Sequence, residues 1–343
     1  MTLLRARAPG RVNLIGDHTD YAGGLALPIA IDLGTTITGT RTGDVLELHS
    51  QQFDTAMALP VPIDRSVARI EPPWSRYVAA VARELGCTTG FTGTITSTLP
   101  LGAGLSSSAS LELACALAFG FDGSPLELAE LGQRSEFAAV GVPCGLLDQL
   151  SCAFGRLGHA LLIDFSTIAI EPVTLPDDLE ILVIHSGVER TLAGSAYAER
   201  REDCERAASI IGPLAECEPG AIDQLTDPIV RRRARHVITE CQRVRRAVAA
   251  LRSGDLPEVG RQMIASHASL REDFEVSTPE LDALVDHLTA IPGVHGARVT
   301  GAGFGGCVVA ITRPGVIEDP AALTGRGWRV RASGPASVET VDD

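Results

Sequence analysis

Residues 99–112 combine glycine, serine and an acidic residue in an order suited to binding phosphate. The core of this segment is Gly102, Ala103, Gly104, Leu105, Ser106, Ser107 and Ser108. An alternating, Thr-rich stretch over 91–98 predicts a strand before it, and the apolar run over 111–118 predicts a helix after it. A glycine loop at a helix N-terminus offers free N–H groups and the positive end of the helix dipole to an anion. The segment therefore predicts a phosphate site, with serine hydroxyls available to phosphate oxygens or to Mg²⁺.

The basic residues narrow the chemistry of that site. The 29 Lys and Arg residues of the chain are all arginine. Walker P-loops and protein kinases require a lysine at the phosphates, and pyridoxal-phosphate enzymes and Schiff-base aldolases require a reactive lysine. These classes are excluded. Phosphoryl groups bound by this chain must be neutralised by arginine, magnesium or backbone amides.

Composition limits the partners. The chain has 343 residues, which suggests about two domains, and 45% of them are hydrophobic. Its net charge of −14 argues against nucleic acid and anionic membranes as partners. The one basic cluster favours the solvated face of a helix. That cluster is Arg231, Arg232, Arg233 and Arg235.

The cysteines and the N-terminus predict a compartment. Eight cysteines are scattered without any Cys-x-x-Cys pair, so we expect reduced thiols in a cytoplasmic protein, with no disulfide and no zinc site. The first residues lack the apolar core of a signal peptide. No uncharged apolar run approaches the length of a membrane span.

The predicted elements favour an α+β fold, because strands and helices mix without a clean βαβ rhythm. A domain boundary is expected at 170–180, which gives domains of residues 1–175 and 176–343. Ser124, Pro125 and Glu127 form a capping box with proline at the first helical position. Helices are predicted over 125–140, 146–152, 190–211, 228–251, 257–274 and 278–291. Strands are predicted over 45–49, 91–98, 160–165, 179–185, 296–300 and 307–312.

A second polar segment lies near the N-terminus, over residues 10–21. It contains arginine, asparagine, histidine, threonine and two aspartates between glycines. Such side chains suit a polyhydroxylated ligand, because one carboxylate can accept hydrogen bonds from two hydroxyls. An Asx-rich surface turn uses the same residue types. This segment alone leaves both interpretations open.

Three segments together resemble the signatures of the GHMP small-molecule kinases. They are residues 10–21, 99–112 and 299–309, and the first, Gly-Arg-Val-Asn-Leu-Ile-Gly-Asp-His-Thr-Asp-Tyr, resembles the galactokinase signature in particular. Residues 144–149, 197–205, 266–281 and 301–307 also resemble that family, so the resemblance covers nearly the whole chain. It implies a two-domain GHMP kinase fold with an N-terminal ribosomal S5 domain 2-like part and a C-terminal ferredoxin-like part. The active site would lie in the cleft between them.

The resemblance implies catalytic roles for Asp148 and Arg11. Asp148 would face the C1 hydroxyl of a sugar. Arg11 would lie beside it, where a guanidinium lowers the pKa of a carboxylate and offsets charge on the transferring phosphoryl group. Without the resemblance, Asp148 is also explained as an acid favoured by the first turn of a helix, and Arg11 as part of a surface ion pair.

The remaining roles follow from the same resemblance. The amides of residues 102–108 would hold the ATP phosphates, and Ser108 and Glu136 would complete a Mg²⁺ site, since Mg²⁺ prefers oxygen ligands. Without the resemblance, Glu136 would be interpreted as a solvent-facing helix residue. The loop over 301–306 would pack against the first two motifs. Sugar contacts are implied for Asp17, His18, Thr19, Asp20, Gly145 and Tyr197, although a helix tyrosine such as the last is commonly just half-buried.

The implied function is that of an ATP-dependent sugar 1-kinase, which we expect to be monomeric and to convert D-galactose to α-D-galactose 1-phosphate. One departure leaves alternatives open: Asp17 stands where the family usually has glutamate at the expected C6 contact. Arabinose, galacturonate, N-acetylgalactosamine or a non-sugar alcohol therefore remain candidate substrates. A catalytically silent sugar sensor is a third possibility, against which the intact serine run, Asp148 and Arg11 argue.

Overall fold

The computed structural model describes residues 2–142, 144–189 and 193–341. Its largest sheet has six strands in the order β13-β1-β3-β6-β4-β5, all antiparallel except the β4–β6 pair. The strands are β1 (Leu3–Asn13), β3 (Pro28–Arg41), β4 (Val45–Ser50), β5 (Thr55–Pro60), β6 (Phe91–Ser97) and β13 (Ser337–Val341).

Four helices enclose the first core. They are α1 (Ser75–Glu84), α2 (Ser107–Phe119), α3 (Pro125–Val140) and α4 (Leu147–Phe154). Helices α2 and α4 pack directly against this sheet, and α1 and α3 pack on the other helices. Helix α2 is apolar on every side and is buried against β1 and β3, as such a helix must be. It begins at Ser107, four residues earlier than its apolar run suggests, so Ser107 and Ser108 lie in its first turn.

The capping box predicted before α3 is confirmed. Ser124 Oγ accepts a hydrogen bond from the Glu127 amide, while the Glu127 carboxylate accepts one from the Ser124 amide at 2.7 Å. Pro125 occupies the first turn and Gly141 ends the helix with φ of 74°. These fixed ends place Glu136 on the last turns of α3, next to the start of α4.

The second half of the chain builds a four-stranded antiparallel sheet in the order β10-β11-β9-β12. Its strands are β9 (Glu180–His185), β10 (Val294–Val299), β11 (Cys307–Thr312) and β12 (Gly327–Val330). Helices α6 and α7 pack on one another, and α7 lies against β10. The helices of this half are α5 (Ala193–Ile211), α6 (Pro228–Ser253), α7 (Leu256–Glu272) and α8 (Pro279–Thr289).

A small third sheet packs against α6, and a shared core joins the two halves. The sheet has the order β2-β7-β8, formed by β2 (Leu25–Ala26), β7 (His159–Asp164) and β8 (Ala169–Thr174). In the shared core, Ile15 and Ile29 pack in one cluster with Val244 of α6 and Val309 of β11. The mainly antiparallel sheets confirm the predicted α+β class.

The end of the chain departs from the predicted division at residue 175. Strand β13 returns to the first sheet, where Leu3 pairs with Val341 and Arg7 with Ser337. The last strand therefore belongs with the N-terminal sheet. Local sequence patterns cannot predict that the first and last strands pair, because the paired residues lie more than 300 positions apart.

The arginine cluster on α6 is not simply a solvated face, and for Arg233 that prediction is wrong. Arg233 is 2% exposed and donates to the Asp273 carbonyl at 2.5 Å and to Glu275 Oε2 at 2.6 Å. Arg235 pairs with the Asp273 carboxylate at 3.0 Å. The cluster therefore ties α6 to the segment that follows α7.

None of the eight cysteines forms a disulfide bond among the residues that the structure describes. Within the described ranges, no helix carries an apolar stretch long enough to span a membrane.

Candidate active site

The ion pair between Arg11 and Asp148 joins β1 to α4. Arg11 Nε lies 2.8 Å and Nη2 2.6 Å from Asp148 Oδ1, and Arg11 Nη1 donates to the Gly104 carbonyl at 2.7 Å. Burial by itself would lower the pKa of Arg11, but the charges of Asp148 and Asp17 outweigh it and the net pKa is raised. Arg11 is thus a permanent cation fixed between the aspartate and the glycine loop.

Ser106 completes the fixation of Asp148 from the other side. Its backbone is left-handed, with φ of 58°, and its hydroxyl donates to Asp148 Oδ2 at 2.5 Å. The Leu105 carbonyl accepts from the Arg11 amide at 3.2 Å, which holds the loop against β1. Each carboxylate oxygen of Asp148 therefore has a partner from a different part of the sequence.

The glycine-serine loop forms one wall of a polar cavity of about 520 Å³. Gly102, Gly104 and the three serines 106–108 line it, together with Arg11, Glu136 and Asp148. The side chains of Ala103 and Leu105 are instead buried in the shared core, so only their backbones can contribute to an anion site. The cavity and the start of α2 have the geometry of an anion-binding site, and phosphate binding there stays a prediction; we call this region the phosphate cradle.

Ser108 and Glu136 are adjacent, as the resemblance implies. Ser108 Oγ donates to Glu136 Oε1 at 2.8 Å. Burial, with the charge of Asp148 adding to it, raises the pKa of Glu136. A hydroxyl and a carboxylate beside a phosphate cavity are the oxygen donors that a magnesium–phosphate complex uses.

A second cavity, of about 230 Å³, adjoins the first. Arg11, Glu136 and Asp148 line both cavities. The other walls come from the N-terminal polar segment, the start of α4, α5 and the loop after β10. Asp148 therefore stands between a compartment suited to phosphate and one lined by polar and aromatic side chains. Among the residues predicted to contact sugar, those lining this cavity are Asp17, His18, Asp20, Gly145 and Tyr197.

Asp17 is held by the second half of the chain. Arg298, which is fully buried, donates to Asp17 Oδ2 at 2.5 Å, and the Gly301 amide donates to Oδ1 at 3.2 Å. His18 is held in the same way: its Nε2 lies 3.2 Å from the Ala302 carbonyl. The predicted packing of the 301–306 loop against the first motif is confirmed by these contacts.

Asp20 and Gly145 form a close pair in the cavity. Burial, together with the charge of Asp148, raises the pKa of Asp20 to about 6. A Cβ atom at position 145 would lie 1.6 Å from Asp20 Oδ2, closer than any non-bonded contact allows. A side chain at position 145 would displace the carboxylate of Asp20, which occupies the space that it would need.

Thr19 does not face the cavity, and here the structure corrects the predicted contact. The side chain is completely buried, and its hydroxyl lies 3.0 Å from the Gly16 carbonyl and 2.8 Å from the Leu25 carbonyl. The hydroxyl is used to close the loop. Thr19 thus shapes the segment that carries Asp17, His18 and Asp20.

Aromatic rings close one side of the cavity. The ring of Tyr197 lies 5.5 Å from those of His18 and Tyr21, and Phe274 lies 4.7 Å from His18. Burial lowers the pKa of His18 to about 4 and raises that of Tyr197 well above its usual range. Both side chains are therefore neutral near pH 7.

Gln149 is a site residue that the sequence analysis did not single out. Its amide nitrogen donates to Glu136 Oε2 at 2.7 Å and lies 3.3 Å from Glu112 Oε2. Burial, with the charge of Glu136 adding to it, raises the pKa of Glu112 well above its usual range. In the sequence, only the position of Gln149 next to Asp148 could indicate its role, because its partners Glu112 and Glu136 lie on other helices, α2 and α3.

The sequence analysis also did not predict an apolar cavity of about 110 Å³. It opens beside Ser107 and Ser108 and is lined by Phe53, Trp74 and Tyr77. Aromatic residues in a sequence are most often core residues, so nothing local separates these three from ordinary packing. Their place next to the phosphate cradle becomes visible only in the fold.

Comparison with family models places the protein in a class. Residues 75–156 match the GHMP kinases N terminal domain and residues 247–322 match the GHMP kinases C terminal domain. The structure is also similar to mevalonate kinase of Methanococcus jannaschii, with a TM-score of 0.68 at 21% identity over 97% of this chain and 98% of the other. The protein has the two-domain GHMP kinase fold and is a phosphotransferase acting on an alcohol group, of a family that uses ATP.

The relatives narrow this class. Residues 4–41 match the galactokinase galactose-binding signature. The galactokinase of Bos taurus is 43% identical over 331 residues, which cover 90% of this chain and 83% of the bovine protein; that of Homo sapiens is 41% identical with the same coverage. Lactococcus lactis galactokinase complexed with galactose matches with a TM-score of 0.89 at 31% identity, over 98% of this chain and 95% of that one. The chain belongs to the galactokinase family.

The contact between Gly145 and Asp20 yields a prediction. The Gly145→Ala substitution should displace the Asp20 carboxylate and lower kinase activity at least about tenfold, because a buried group loses its position without a new partner. Gly145 does not have a positive φ, so alanine adds no backbone strain there. Steady-state kinetics under subsaturating sugar would measure the loss.

Gly334→Ala is the matched control, since a Cβ atom there would meet nothing within 4 Å. It should leave activity unchanged. Full activity in Gly145→Ala would contradict the assigned packing of Asp20.

Proposed function

We propose that the protein transfers the γ-phosphoryl group of ATP to the C1 hydroxyl of D-galactose, producing α-D-galactose 1-phosphate and ADP. One observation carries the proposal: Asp148, paired with Arg11, lines both the phosphate cradle and the adjoining polar cavity. A hydroxyl bound in one cavity and a phosphate bound in the other would meet at this pair. The galactokinase relatives, and the solved relative that binds galactose, support galactose as the sugar.

Asp148 is proposed to receive the proton of the C1 hydroxyl as the new phosphorus–oxygen bond forms. Because phosphoryl transfer passes through a loose transition state, positioning and charge stabilisation are the main demands on the protein. Arg11 and Ser106 hold the Asp148 carboxylate in place, and the Gly104 carbonyl holds Arg11. The Arg11 guanidinium would also stabilise the charge that spreads over the transferring group.

Mg²⁺ is proposed as the metal that accompanies ATP. Ser108 and Glu136 fit it, since both supply oxygen, they already lie 2.8 Å apart, and Gln149 orients the carboxylate. Among the residues that the structure describes, no group of three or more His, Cys, Asp or Glu could hold a metal ion. The two oxygen donors of Ser108 and Glu136 therefore fit a cation that takes its remaining ligands from phosphates and water. When bound, the ion would offset charge on the phosphates.

The apolar cavity beside the cradle is proposed to hold the nucleoside of ATP. Trp74 and Tyr77 offer flat apolar surfaces next to Ser107 and Ser108, so a base stacked there would direct its phosphates toward the glycine loop. We also propose that the active form is a monomer. The cytoplasm is proposed as the compartment, because eight cysteines occur without a disulfide bond among the described residues.

A panel of free sugars tests this function. D-Galactose, L-arabinose, D-galacturonate, N-acetylgalactosamine and D-glucose would be compared by kcat/KM with ATP and Mg²⁺, and the product would be located by ³¹P NMR. We expect D-galactose to have the highest kcat/KM and to yield a 1-phosphate. A higher value for another sugar would reassign the substrate, and turnover of none would reject the kinase assignment.

The Asp148→Asn substitution should lower kcat by about 10²–10⁴-fold, the usual contribution of a positioned general base. Asparagine keeps the size of the side chain but cannot receive the proton. ATP binding, measured by fluorescence titration, should remain within a few fold of the unmodified protein. Asp122→Asn, at an exposed position, serves as the control and should leave kcat unchanged. Retention of full activity by Asp148→Asn would exclude Asp148 as the base.

The raised pKa of Asp20 predicts a pH dependence. Ionised Asp20 can accept hydrogen bonds from two sugar hydroxyls, whereas its protonated form loses part of this capacity. Because the pKa of Asp20 is about 6, kcat/KM for the sugar should fall as pH decreases through 6, with most of the loss in KM. Asp20→Asn should raise the sugar KM above pH 6, where the aspartate is ionised, and should remove this midpoint. A flat profile between pH 5 and 7.5 in the unmodified protein would contradict the role.

A further inference from the structure

The sugar-facing loop belongs to the N-terminal half, but part of its backbone is bonded to helix α6. The loop comprises residues 14–24, between β1 and β2. Gly16 takes φ of +98°, and a Cβ atom there would lie 2.4 Å from the Leu25 carbonyl. A tight turn of this kind brings backbone polar groups into the core, where each needs a partner.

Glu240 of α6 supplies the partner of the Gly16 amide. Its Oε1 accepts from that amide at 2.9 Å and from the Ser266 hydroxyl at 2.5 Å, while its Oε2 accepts from Arg243 at 2.6 Å. Glu240 is completely buried. Burial alone would raise its pKa, but Arg243 and other nearby positive charge outweigh burial and lower the pKa to about 2. The Gly16 amide therefore donates to a permanent anion.

His236 supplies the partner of the carbonyl of Asp17, the residue after Gly16. It lies four residues before Glu240, so both side chains extend from one face of α6. Its Nε2 lies 3.1 Å from the Asp17 carbonyl and its Nδ1 3.0 Å from the Ser269 hydroxyl. Burial lowers the pKa of His236 to about 3, so the ring is neutral. Because a carbonyl can only accept, Nε2 carries the proton, so Nδ1 is an acceptor beside the Ser269 hydroxyl, which also donates to Asp273 Oδ2 at 3.1 Å.

Contacts between tilted aromatic rings extend from His236 to the cavity. The His236 ring lies 4.5 Å from the Phe274 ring, and Phe274 lies 4.7 Å from His18. Asp17 is thus held through its carbonyl by His236 and through its carboxylate by Arg298. Polar contacts from the C-terminal half, in addition to apolar packing, define the direction of the loop.

We propose that His236 and Glu240 are positioning residues for sugar binding, which hold the backbone of residues 16–17 so that Asp17, His18 and Asp20 face the cavity before the sugar arrives. This inference rests on the proposed function. We call the hydrogen bonds from His236 and Glu240 to residues 16–17 the tether. Loss of the tether is expected to weaken sugar binding and to leave the phosphate cradle intact. Neither side chain lines the sugar cavity or the phosphate cavity, so any effect must be transmitted through the loop.

Two pairs of substitutions test the tether. His236→Leu and Glu240→Leu remove the hydrogen-bonding group, whereas His236→Gln and Glu240→Gln keep a donor or an acceptor of similar reach. We expect the leucine variants to raise the sugar KM about tenfold or more, with kcat and the ATP KM within about twofold, and the glutamine variants to recover most of the loss. Val230→Ala, at a buried position on the same helix away from the loop, controls for general destabilisation and should not change the sugar KM.

Equal changes in the sugar and ATP KM values, or an unchanged sugar KM in a folded leucine variant, would overturn the proposal. Should the leucine variants fail to fold, Ser266→Ala and Ser269→Ala decide it. Each removes one hydrogen bond that supports the tether, with little loss of volume. A rise of about threefold in the sugar KM alone would support the tether, and no rise in either would refute it.

Hydrogen exchange separates this inference from the proposed function. If the unmodified enzyme phosphorylates no sugar, the function fails, but the tether can still be measured in its absence. Amides of residues 14–24 should then exchange faster in His236→Leu than in Val230→Ala, judged by mass spectrometry of the same peptide. Equal exchange in the two variants would overturn the tether on its own.

Discussion

The ion pair between Arg11 and Asp148 connects the end of a strand in the first sheet to the start of a helix 137 residues later. Both groups lie at the junction of two cavities, and each is fixed by further hydrogen bonds to the glycine-serine loop. A cation fixed beside the proposed catalytic carboxylate needs no reorganisation when charge develops during transfer. Removing either partner would leave the other charge largely withdrawn from water, which is costly.

The two cavities meet at this pair but are built differently. Most of the proposed phosphate side, namely the glycine loop, the serine hydroxyls and the first turn of α2, comes from a continuous stretch of sequence, and Arg11, Glu136 and Asp148 complete it from elsewhere. The proposed sugar side is assembled from distant segments: the N-terminal loop, Gly145, Tyr197 and the loop after β10. The backbone of the phosphate side is therefore largely encoded locally, whereas the sugar side depends on the correct packing of the C-terminal half.

This difference explains what the sequence could predict. The glycine loop, the capping box before α3 and the nearness of Ser108 to Glu136 follow from local patterns and a family resemblance. The Arg298–Asp17 pair and the return of β13 to the first sheet join residues more than 280 positions apart, and no periodicity encodes such contacts. Thr19 shows a second limit, because a residue type suited to binding sugar is equally suited to closing a turn.

A crystal structure with galactose and a non-hydrolysable ATP analogue tests the central claim most directly. The measured quantity is the separation between the sugar C1 oxygen, the Asp148 carboxylate and the γ-phosphorus. The account predicts that the C1 oxygen lies within hydrogen-bond distance of Asp148, roughly 2.6–3.2 Å, and faces a γ-phosphate held by residues 102–108. A sugar bound with a different hydroxyl at Asp148, or triphosphate outside the glycine-serine loop, would contradict it.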